Sequence, residues 1–218
     1  IKHYLKVAFR NLAKYKVQSI VSILGLAVGF VCFALSTLWI RYEMTYDTFH
    51  EGAERIYLVR AHYAHEPGKI SNSTPYPLAD YLQKGNPEIE AMASTSVQKV
   101  KFRVKDTEKD VVSAAADSVL MNFFNIRVLR GTVNFLKGTN GEIAITEEFS
   151  KRIFGEEEAL GREVEVSGHA SKVGAIVSGW SSHSNIPYSI LTSARHYTQW
   201  GSANENLFVR IRDRKSVV

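Results

Sequence analysis

One apolar run, residues 17–40, constrains this chain more than any other feature of its sequence. It reads VQSIVSILGLAVGFVCFALSTLWI and contains no Asp, Glu, Lys, Arg or His over 24 residues. A helix rising about 1.5 Å per residue would extend about 36 Å over this run, which is enough to cross a hydrocarbon core about 30 Å thick. Lys16 precedes the run and Arg41 follows it. The sequence therefore predicts one transmembrane helix over residues 17–40.

Three other interpretations of this run are weaker. A buried helix of a soluble domain rarely continues for 24 residues without a charged side chain. A cleavable signal peptide has the small residues of a cleavage site in Ala34-Leu35-Ser36, but its apolar stretch is usually shorter than this one. A helix lying in the membrane surface needs a polar face, which the run lacks.

The basic residues are distributed unevenly about the run. Residues 1–16 contain no acidic side chain and five basic ones, Lys2, Lys6, Arg10, Lys14 and Lys16. Taking these five from the total of 27 Lys and Arg leaves 22, which equals the number of Asp and Glu. Because positive residues beside a spanning helix stay on the cytoplasmic side, the N-terminus is predicted inside and residues 41–218 outside. So small a basic cluster, next to a membrane segment, disfavours nucleic acid as a partner.

The residues before the run predict a contact with lipid. Four basic side chains recur every four positions, Lys2, Lys6, Arg10 and Lys14, and apolar residues lie between them. This spacing predicts a basic amphipathic helix over residues 1–16 that lies on the inner leaflet. A frayed, solvated terminus is the alternative.

Two features in and just after the run predict how the helix packs in the membrane and where it meets the outer interface. Gly25 and Gly29 form a GxxxG motif, which allows another membrane helix to approach closely, although this spacing is also common by chance. At the other end, Trp39, Tyr42 and Tyr46 suit the aromatic belt at the outer interface.

The sequence offers little catalytic chemistry. Cys32, the only cysteine, lies within the apolar run, so no intrachain disulfide can form. No Walker A motif is present, because the segment from Gly155 to Arg162 lacks the Lys-Ser/Thr that holds phosphate and magnesium. The two imidazoles of His62 and His65, with Glu66, form a weak metal candidate, and residues 181–184 (Ser-Ser-His-Ser) a weak nucleophile candidate. We therefore predict no enzymatic activity, no cofactor and no metal.

Beyond the run, short strands alternate with short helices. Asp47 is a candidate N-cap for a helix over residues 47–56, and residues 87–94 are predicted to form a turn. Further helices are predicted after Pro77 and at residues 117–124, 147–154 and 193–200. Strands are predicted at residues 56–61, 95–104, 109–116, 126–129, 142–146, 163–166, 171–178, 188–192 and 207–211.

Four stretches in this order resemble MacB/FtsX-type ABC transporter permeases. The first is LKVAFRNLAKYK leading into GLAVGF, and the second is TYDTFHEGAERIYLVR from Thr45 to Arg60. The third is EEFSKRIFGEEEALGREVEV from Glu147 to Val166, and the fourth is NIPYSILTS from Asn185 to Ser193. Each stretch alone is a weak signal, but together they span nearly the whole chain.

The resemblance implies an α+β fold. An amphipathic helix and one transmembrane helix would precede a two-lobed extracytoplasmic domain, in which a β-α-β lobe carries an inserted, mainly-β lobe. The implied parts are a cytoplasmic helix at 1–16, a transmembrane helix at 17–40, a stalk at 41–55, the β-α-β lobe at 56–112 and 185–218, and the inserted lobe at 113–184.

The resemblance also implies a function. Such permeases sit in the bacterial inner membrane, form homo- or heterodimers and pair with an ABC ATPase, whose ATP hydrolysis moves the periplasmic domain by mechanotransmission. An adaptor or substrate protein in the periplasm is a further expected partner. The family has at least three more membrane helices, so the chain is expected to be a fragment. A single-pass anchored sensor or scaffold is the alternative function, and an anchored hydrolase is a weaker one.

Overall fold

The structure is a computed structural model that describes residues 2–64, 68–105, 107–180, 184 and 186–213, without the side chains of residues 2, 5, 6, 8 and 9. The chain divides into two compact units, Ile1–Tyr46 and Asp47–Val218. We refer to the second as the outer unit.

The first unit consists of two helices, α1 (Lys2–Lys14) and α2 (Lys16–Met44). α2 includes all of the predicted run and continues to Met44, since no Gly or Pro interrupts Arg41–Met44. Among the described residues it is the one helix long and apolar enough to cross a membrane, and none of its residues is buried within the chain. Apolar side chains that find no partner in their own chain suit a lipid environment.

The outer unit is rich in strands. In the described part of this unit there are three α-helices, α3 (Leu78–Gly85), α4 (Ser118–Phe123) and α5 (Glu147–Phe154). Its thirteen strands among the described residues are β1 (Ile56–Leu58), β2 (Ala61–His62), β3 (Ile70–Ser71), β4 (Ser73–Pro75), β5 (Ile89–Thr95), β6 (Val97–Val104), β7 (Thr107–Ala116), β8 (Val128–Gly131), β9 (Glu142–Thr146), β10 (Glu163–Val166), β11 (His169–Val177), β12 (Ile190–Ser193) and β13 (Ala203–Ile211). The predicted α+β class, with an apolar helix before a sheet-rich domain, is confirmed.

The larger sheet closes on itself. Its strands follow the order β10-β6-β7-β12-β9-β11-β8, and β10 also pairs with β11, so that six strands form a ring with β8 attached to β11. One hydrophobic cluster draws side chains from all six of these strands, including Phe102 and Ile145, and from Phe149 of α5. A small closed sheet is filled by its own inward side chains, so this cluster is the core of the ring.

The smaller sheet is centred on β13. β5 pairs with it along one side, and β1 and β4 pair with it as well, all antiparallel. α3 packs on this sheet through Leu78, Ala79 and Leu82. β2 and β3 form a separate pair.

A third hydrophobic cluster lies between the two sheets. The ring contributes small outward side chains, such as Ala114, Ala116 and Ala144, and the smaller sheet contributes Ala93 and Phe208. α4 fills the space between them with Leu120, Met121 and Phe123. Alanines on the outside of the ring allow the helix and the second sheet to approach closely.

Three local predictions are wrong. Residues 47–52 form turns, followed by a 3₁₀ turn at Ala53–Arg55, because the left-handed backbone of Asp47 (φ 56°) and Gly52 (φ 70°) stops an α-helix. Residues 89–95 form β5 rather than a turn, since they pair with β13. Residues 194–199 contain no helix, because they cross from the larger sheet to the smaller one.

The sheets divide the chain at different places from the predicted lobes. The smaller sheet takes its strands from residues 56–95 and 203–211, and the larger sheet takes its strands from residues 97–193. The predicted lobe boundaries, after residue 112 and before residue 185, stay a prediction.

Candidate functional site

The first candidate site is the linking segment, defined as residues 47–55, which leads to β1. Its turns are closed by backbone hydrogen bonds from His50 N–H to Asp47 O (3.3 Å), Ala53 N–H to His50 O (3.1 Å) and Arg55 N–H to Gly52 O (2.9 Å). Asp47 tolerates the left-handed conformation better than a branched residue would. These turns keep the segment against the outer unit instead of letting it extend.

A hydrogen bond ties the start of this segment to a distant part of the sequence. The hydroxyl of Ser184 donates to Asp47 Oδ1 at 2.5 Å, and the same hydroxyl accepts from the N–H of Ile186 at 3.2 Å. Ser184 is buried. Hydrogen bonds to a carboxylate are stronger than neutral ones, so residues 137 positions apart are held together here.

His50 lies among three aromatic rings. Its ring centroid is 4.2 Å from that of Phe49, 4.9 Å from that of Phe124 and 4.8 Å from that of Trp180. Burial lowers the pKa of His50, and the nearby Asp47 carboxylate opposes this only in part. His50 is therefore neutral at pH 7, and its imidazole packs against the three neighbouring rings.

The rings around His50 reach both sheets. Phe124 contacts Phe208 of β13 with centroids 5.2 Å apart, and Trp180 contacts Tyr188 with centroids 4.9 Å apart. The Tyr188 hydroxyl donates to Ser178 O, just after β11, at 2.8 Å, and burial raises its pKa. We call Phe49, His50, Phe124, Trp180, Tyr188 and Phe208 the ring network.

The end of the linking segment is tied to the smaller sheet. Arg55 Nη1 donates to Glu90 Oε2 at 2.8 Å and to the backbone oxygen of Ile211 at 3.3 Å. β1 then continues from Arg55 and pairs with β13. The linking segment is thus bonded at both ends to other parts of the outer unit.

A second candidate site is the connector, defined as residues 194–202, which joins β12 to β13. His196 Nε2 lies 3.1 Å from Asp117 Oδ2, and its Nδ1 lies 3.7 Å from Glu205 Oε1, which is an ion-pair distance but too long for a hydrogen bond. The ring of Tyr76 stacks on the imidazole with centroids 3.9 Å apart. Asp117 also caps α4 by accepting from the N–H of Leu120 at 2.7 Å.

This cluster favours a charged imidazole. The hydrogen bond to Asp117 and the Glu205 carboxylate raise the pKa of His196 to about 9, against the effect of burial. Burial raises the pKa of Asp117. The hydrogen bonds from His196 and from the N–H of Leu120 outweigh this effect, so the pKa is lowered overall. His196 therefore links β13 and the start of α4 through partly buried ionic contacts, and it links the residue after β4 through ring stacking.

The structure places the predicted membrane residues without testing their roles. Gly25 and Gly29 lie in α2, and a Cβ added to either would meet no atom of the chain within 4 Å. Near the end of α2, the rings of Trp39 and Tyr42 are 6.3 Å apart, and those of Tyr42 and Tyr46 are 5.7 Å apart. The packing role of the glycines and the interface role of the aromatics stay predictions.

The inner-leaflet residues are described only in part. Arg10 and Lys14 are exposed on α1, whereas the side chains of Lys2 and Lys6 lie outside the described part of the structure. Their contact with lipid stays a prediction.

The weak catalytic candidates are not brought together by the described residues. His62 is exposed on β2, and Ser184 bonds to Asp47. His65, Glu66, Ser181, Ser182 and His183 lie outside the described residues. Among the described His, Cys, Asp and Glu side chains, no group of three is arranged to hold a metal ion.

Sequence reasoning did not identify Trp180 or His196 as site residues. Their partners, such as His50 and Asp117, lie far away in sequence, so no local spacing marks them. For Asp47 and His50 the sequence offered one indication. Both lie in the second stretch that resembles the known family, which follows the apolar run.

His196 gives the outer unit a pH-dependent stability. Because its pKa is raised, its contribution is fully present below about pH 6.5 and is lost as the pH rises through about 9. We expect His196→Gln to lower the free energy of unfolding by about 2–3 kcal/mol at pH 6 and by much less at pH 10. Denaturation of the full chain in detergent, followed by circular dichroism at both pH values, measures this. An equal loss at both pH values would contradict the ionic role, and His169→Gln, on the exposed start of β11, is the control.

The comparisons with known proteins agree on the fold. The family model described as MacB-like periplasmic core domain matches residues 19–218. A search of curated proteins found no match.

Among solved structures, the chain is similar to a domain described as part of a permease protein from Porphyromonas gingivalis, at 18% identity and a TM-score of 0.63, covering 76% of this chain and 78% of that one. It is also similar to the extracellular domain of the ABC-type transporter YknZ from Gram-positive bacteria, at 16% identity and a TM-score of 0.54, covering 73% and 84%. A third similar structure is the periplasmic region of MacB from Actinobacillus actinomycetemcomitans, at 12% identity and a TM-score of 0.51, covering 73% and 75%.

The family model matches almost all of α2 and every described strand, and the similar solved structures share the fold. These two findings assign the chain to a family. The chain therefore belongs to the MacB-like periplasmic core domain family, as a membrane-anchored member with its apolar helix before the outer unit.

Proposed function

We propose that this chain is the permease portion of a mechanotransmission ABC transporter. ATP hydrolysis by a partner ATPase in the cytoplasm moves the apolar helix, and the outer unit follows and performs export or other work outside the membrane. The observation that carries this proposal is the attachment of the linking segment. Asp47 bonds to Ser184, and His50 packs on Phe124 and Trp180. Arg55 bonds to Glu90 and Ile211 of the smaller sheet, so a displacement of residue 47 is resisted by contacts with the outer unit.

Family membership supports the choice of partner. One of the similar structures is the extracellular domain of an ABC-type transporter, YknZ. Such transporters take their energy from an ATPase, and no Walker A motif occurs in this sequence. The ATPase is therefore a separate subunit or another part of the same protein.

The membrane segment supports an orientation. The five basic residues before the run support a cytoplasmic N-terminus, with the outer unit on the other side of the membrane, and we assign this membrane as a bacterial inner membrane with the outer unit in the periplasm. Lys2, Lys6, Arg10 and Lys14 seat α1 on the inner leaflet, and Trp39, Tyr42 and Tyr46 mark the outer interface. Gly25 and Gly29 provide the surface on which a second permease copy or another membrane helix packs.

The chemistry of the outer unit supports work by movement rather than by catalysis. His50 is neutral and packed among rings, and the Ser184 hydroxyl donates to a carboxylate rather than to an imidazole. An adaptor or substrate protein in the periplasm is the proposed recipient of the movement.

Removal of the Ser184 hydroxyl tests the coupling. We expect Ser184→Ala to leave ATP hydrolysis by the co-purified ATPase unchanged but to reduce severalfold the ATP-dependent change in distance between spin labels on the outer units of two copies. The physical reason is that the Asp47 carboxylate loses a partly buried hydrogen bond, at a cost of about 1–2 kcal/mol. Double electron–electron resonance on the complex in nanodiscs measures the distance.

Ser118→Ala is the matched control, since Ser118 is an exposed serine at the start of α4. A full distance change in Ser184→Ala would contradict the coupling role. Failure of any ATPase to co-purify with the full-length protein would contradict the transporter itself and favour a single-pass anchored sensor or scaffold.

Protease accessibility tests the orientation. Protease added outside sealed, right-side-out inner-membrane vesicles should digest residues 47–218 and leave a protected fragment of about the first forty residues, because the bilayer shields a helix of this length. An antibody against an N-terminal tag detects the fragment. Survival of the outer unit in intact vesicles, with digestion only after detergent is added, would place it on the cytoplasmic side.

A further inference from the structure

An exposed Asn-Gly pair lies in the outer unit, outside both candidate sites. Asn140 and Gly141 belong to a short loop, residues 138–141, between a 3₁₀ turn that ends at Lys137 and the start of β9. This dipeptide occurs once in the sequence. Asparagine is among the thermolabile residues of proteins, so the residue that follows it and the accessibility of its amide decide whether it is stable.

The loop is fixed at its two ends and exposed between them. A Cβ added to Gly138 would lie 2.8 Å from Ser193 Oγ, so the chain passes close to the end of β12 there. At the other end, Gly141 O accepts from the N–H of Lys172 on β11 at 3.0 Å. Asn140 lies exposed between these two points. Water and base therefore reach its side chain without any opening of the core.

Gly141 presents an accessible main-chain nitrogen. Its backbone is left-handed (φ 62°), which suits a residue without a Cβ. Outside its chain neighbours, the atom nearest to the place that a Cβ would occupy is Ala170 O, at 3.6 Å. Within the described part of the chain, the Gly141 N–H donates no hydrogen bond to another residue. Because this N–H has no acceptor to lose, base can remove its proton without breaking a bond of the fold.

The side-chain carbonyl of Asn140 is polarised by its neighbour. The hydroxyl of Thr139 donates to Asn140 Oδ1 at 3.0 Å. Addition of a nucleophile to Cγ would place negative charge on this oxygen, and a donor that is already directed at it stabilises that charge. The nitrogen of Gly141 is held near Cγ by the chain itself, so its attack closes a small ring and needs no second molecule to collide.

From these observations we infer that Asn140 is a site of self-modification, at which the Gly141 nitrogen converts the side-chain amide into a succinimide. Hydroxide removes the Gly141 amide proton, and the nitrogen forms a bond to Asn140 Cγ. The bond from Cγ to Nδ2 then breaks, and Nδ2 takes up protons and leaves as ammonia. Water opens the succinimide at either carbonyl carbon. Opening at Cγ gives aspartate, whereas opening at the main-chain carbon gives isoaspartate, whose main chain runs through Cγ.

The products alter the loop at the point where it joins the ring. Both add a negative charge, and isoaspartate also lengthens the main chain just before the Gly141 carbonyl that accepts from Lys172. The reaction needs only water and base, so it does not depend on coupling to an ATPase.

Two other exposed asparagines provide controls within the same chain. Asn125 is exposed, but the N–H of the next residue, Ile126, donates to a backbone oxygen of α4 at 2.8 Å. Asn86 is exposed as well, but Pro87 follows it and has no N–H to lose. Exposure alone would make all three asparagines react, whereas the proposed mechanism selects Asn140.

The experiment uses the full chain in detergent, kept warm in a mildly alkaline buffer and sampled over several days. Each sample is digested with pepsin in acid, and mass spectrometry with electron-transfer fragmentation separates isoaspartate from aspartate. We expect the peptide that contains Asn140 to exchange an amino group for a hydroxyl severalfold faster than the peptides that contain Asn125 or Asn86, and more slowly in a mildly acidic buffer. Gly141→Ala should slow the reaction severalfold, because a Cβ crowds the nitrogen and disfavours the left-handed backbone.

Asn140→Gln is a second variant, and it leaves the Gly141 backbone unstrained. Its longer side chain would have to close a larger ring, so residue 140 should remain unmodified over the same period, and circular dichroism should show an unchanged fold because the residue is exposed. Conversion of Asn140 no faster than that of Asn125 would overturn the proposal. Aspartate without isoaspartate would overturn it as well, since direct hydrolysis of the side chain leaves the main chain as it was.

Discussion

The packing of His50 between Phe124 and Trp180 is the contact on which the proposed function depends. An apolar helix that led into a free linker could move without consequence, since a flexible chain transmits little force over several residues. Here the linking segment turns back at Asp47 and Gly52 and contributes a ring to the ring network. The ring network reaches β13 through Phe208 and the end of β11 through Tyr188. A packed interior has low compressibility, so a displacement of this segment strains both sheets together.

The two sheets share further contacts that favour movement as one unit. Arg210 of β13 places its guanidinium 4.5 Å from the ring of Phe123 and donates to the backbone oxygen of Phe123, at the end of α4. Positive charge is favourable at the C-terminal end of a helix. The ionic contacts of His196 link the connector to α4 and β13 at another point. With the apolar cluster between the sheets, these contacts connect the two sheets of the outer unit.

The sequence predicted those helices and strands whose position is set by residues within or next to them. α2 follows from its uncharged run. α5 was predicted at residues 147–154, and the structure shows that Thr146 caps its start and Gly155 follows its end. β9 and β10 were predicted at their observed bounds. β5 was missed because its sequence resembles a turn until β13 is placed beside it.

The candidate sites were harder to predict from sequence because their contacts are long-range. Asp47 was predicted to cap a helix, yet its partner is the Ser184 hydroxyl, 137 residues away. The ring closes because β10 pairs with both β6 and β11. No local sequence pattern indicates this double pairing. The resemblance to a known family supplied the two-lobed outline, but the contacts that fix the linking segment came from the structure.

Hydrogen–deuterium exchange of the linking segment tests the central claim most directly. In the full chain, reconstituted in nanodiscs, the amides of Ala53 and Arg55 should exchange far more slowly than those of an open loop and closer to those of β13, since both are hydrogen-bonded within the packed segment. Peptides covering the exposed residues 197–201 of the connector provide the fast reference. Exchange of residues 53–55 at the rate of that reference, while β13 remains protected, would show that the segment is a loose tether and would contradict transmission of movement through it.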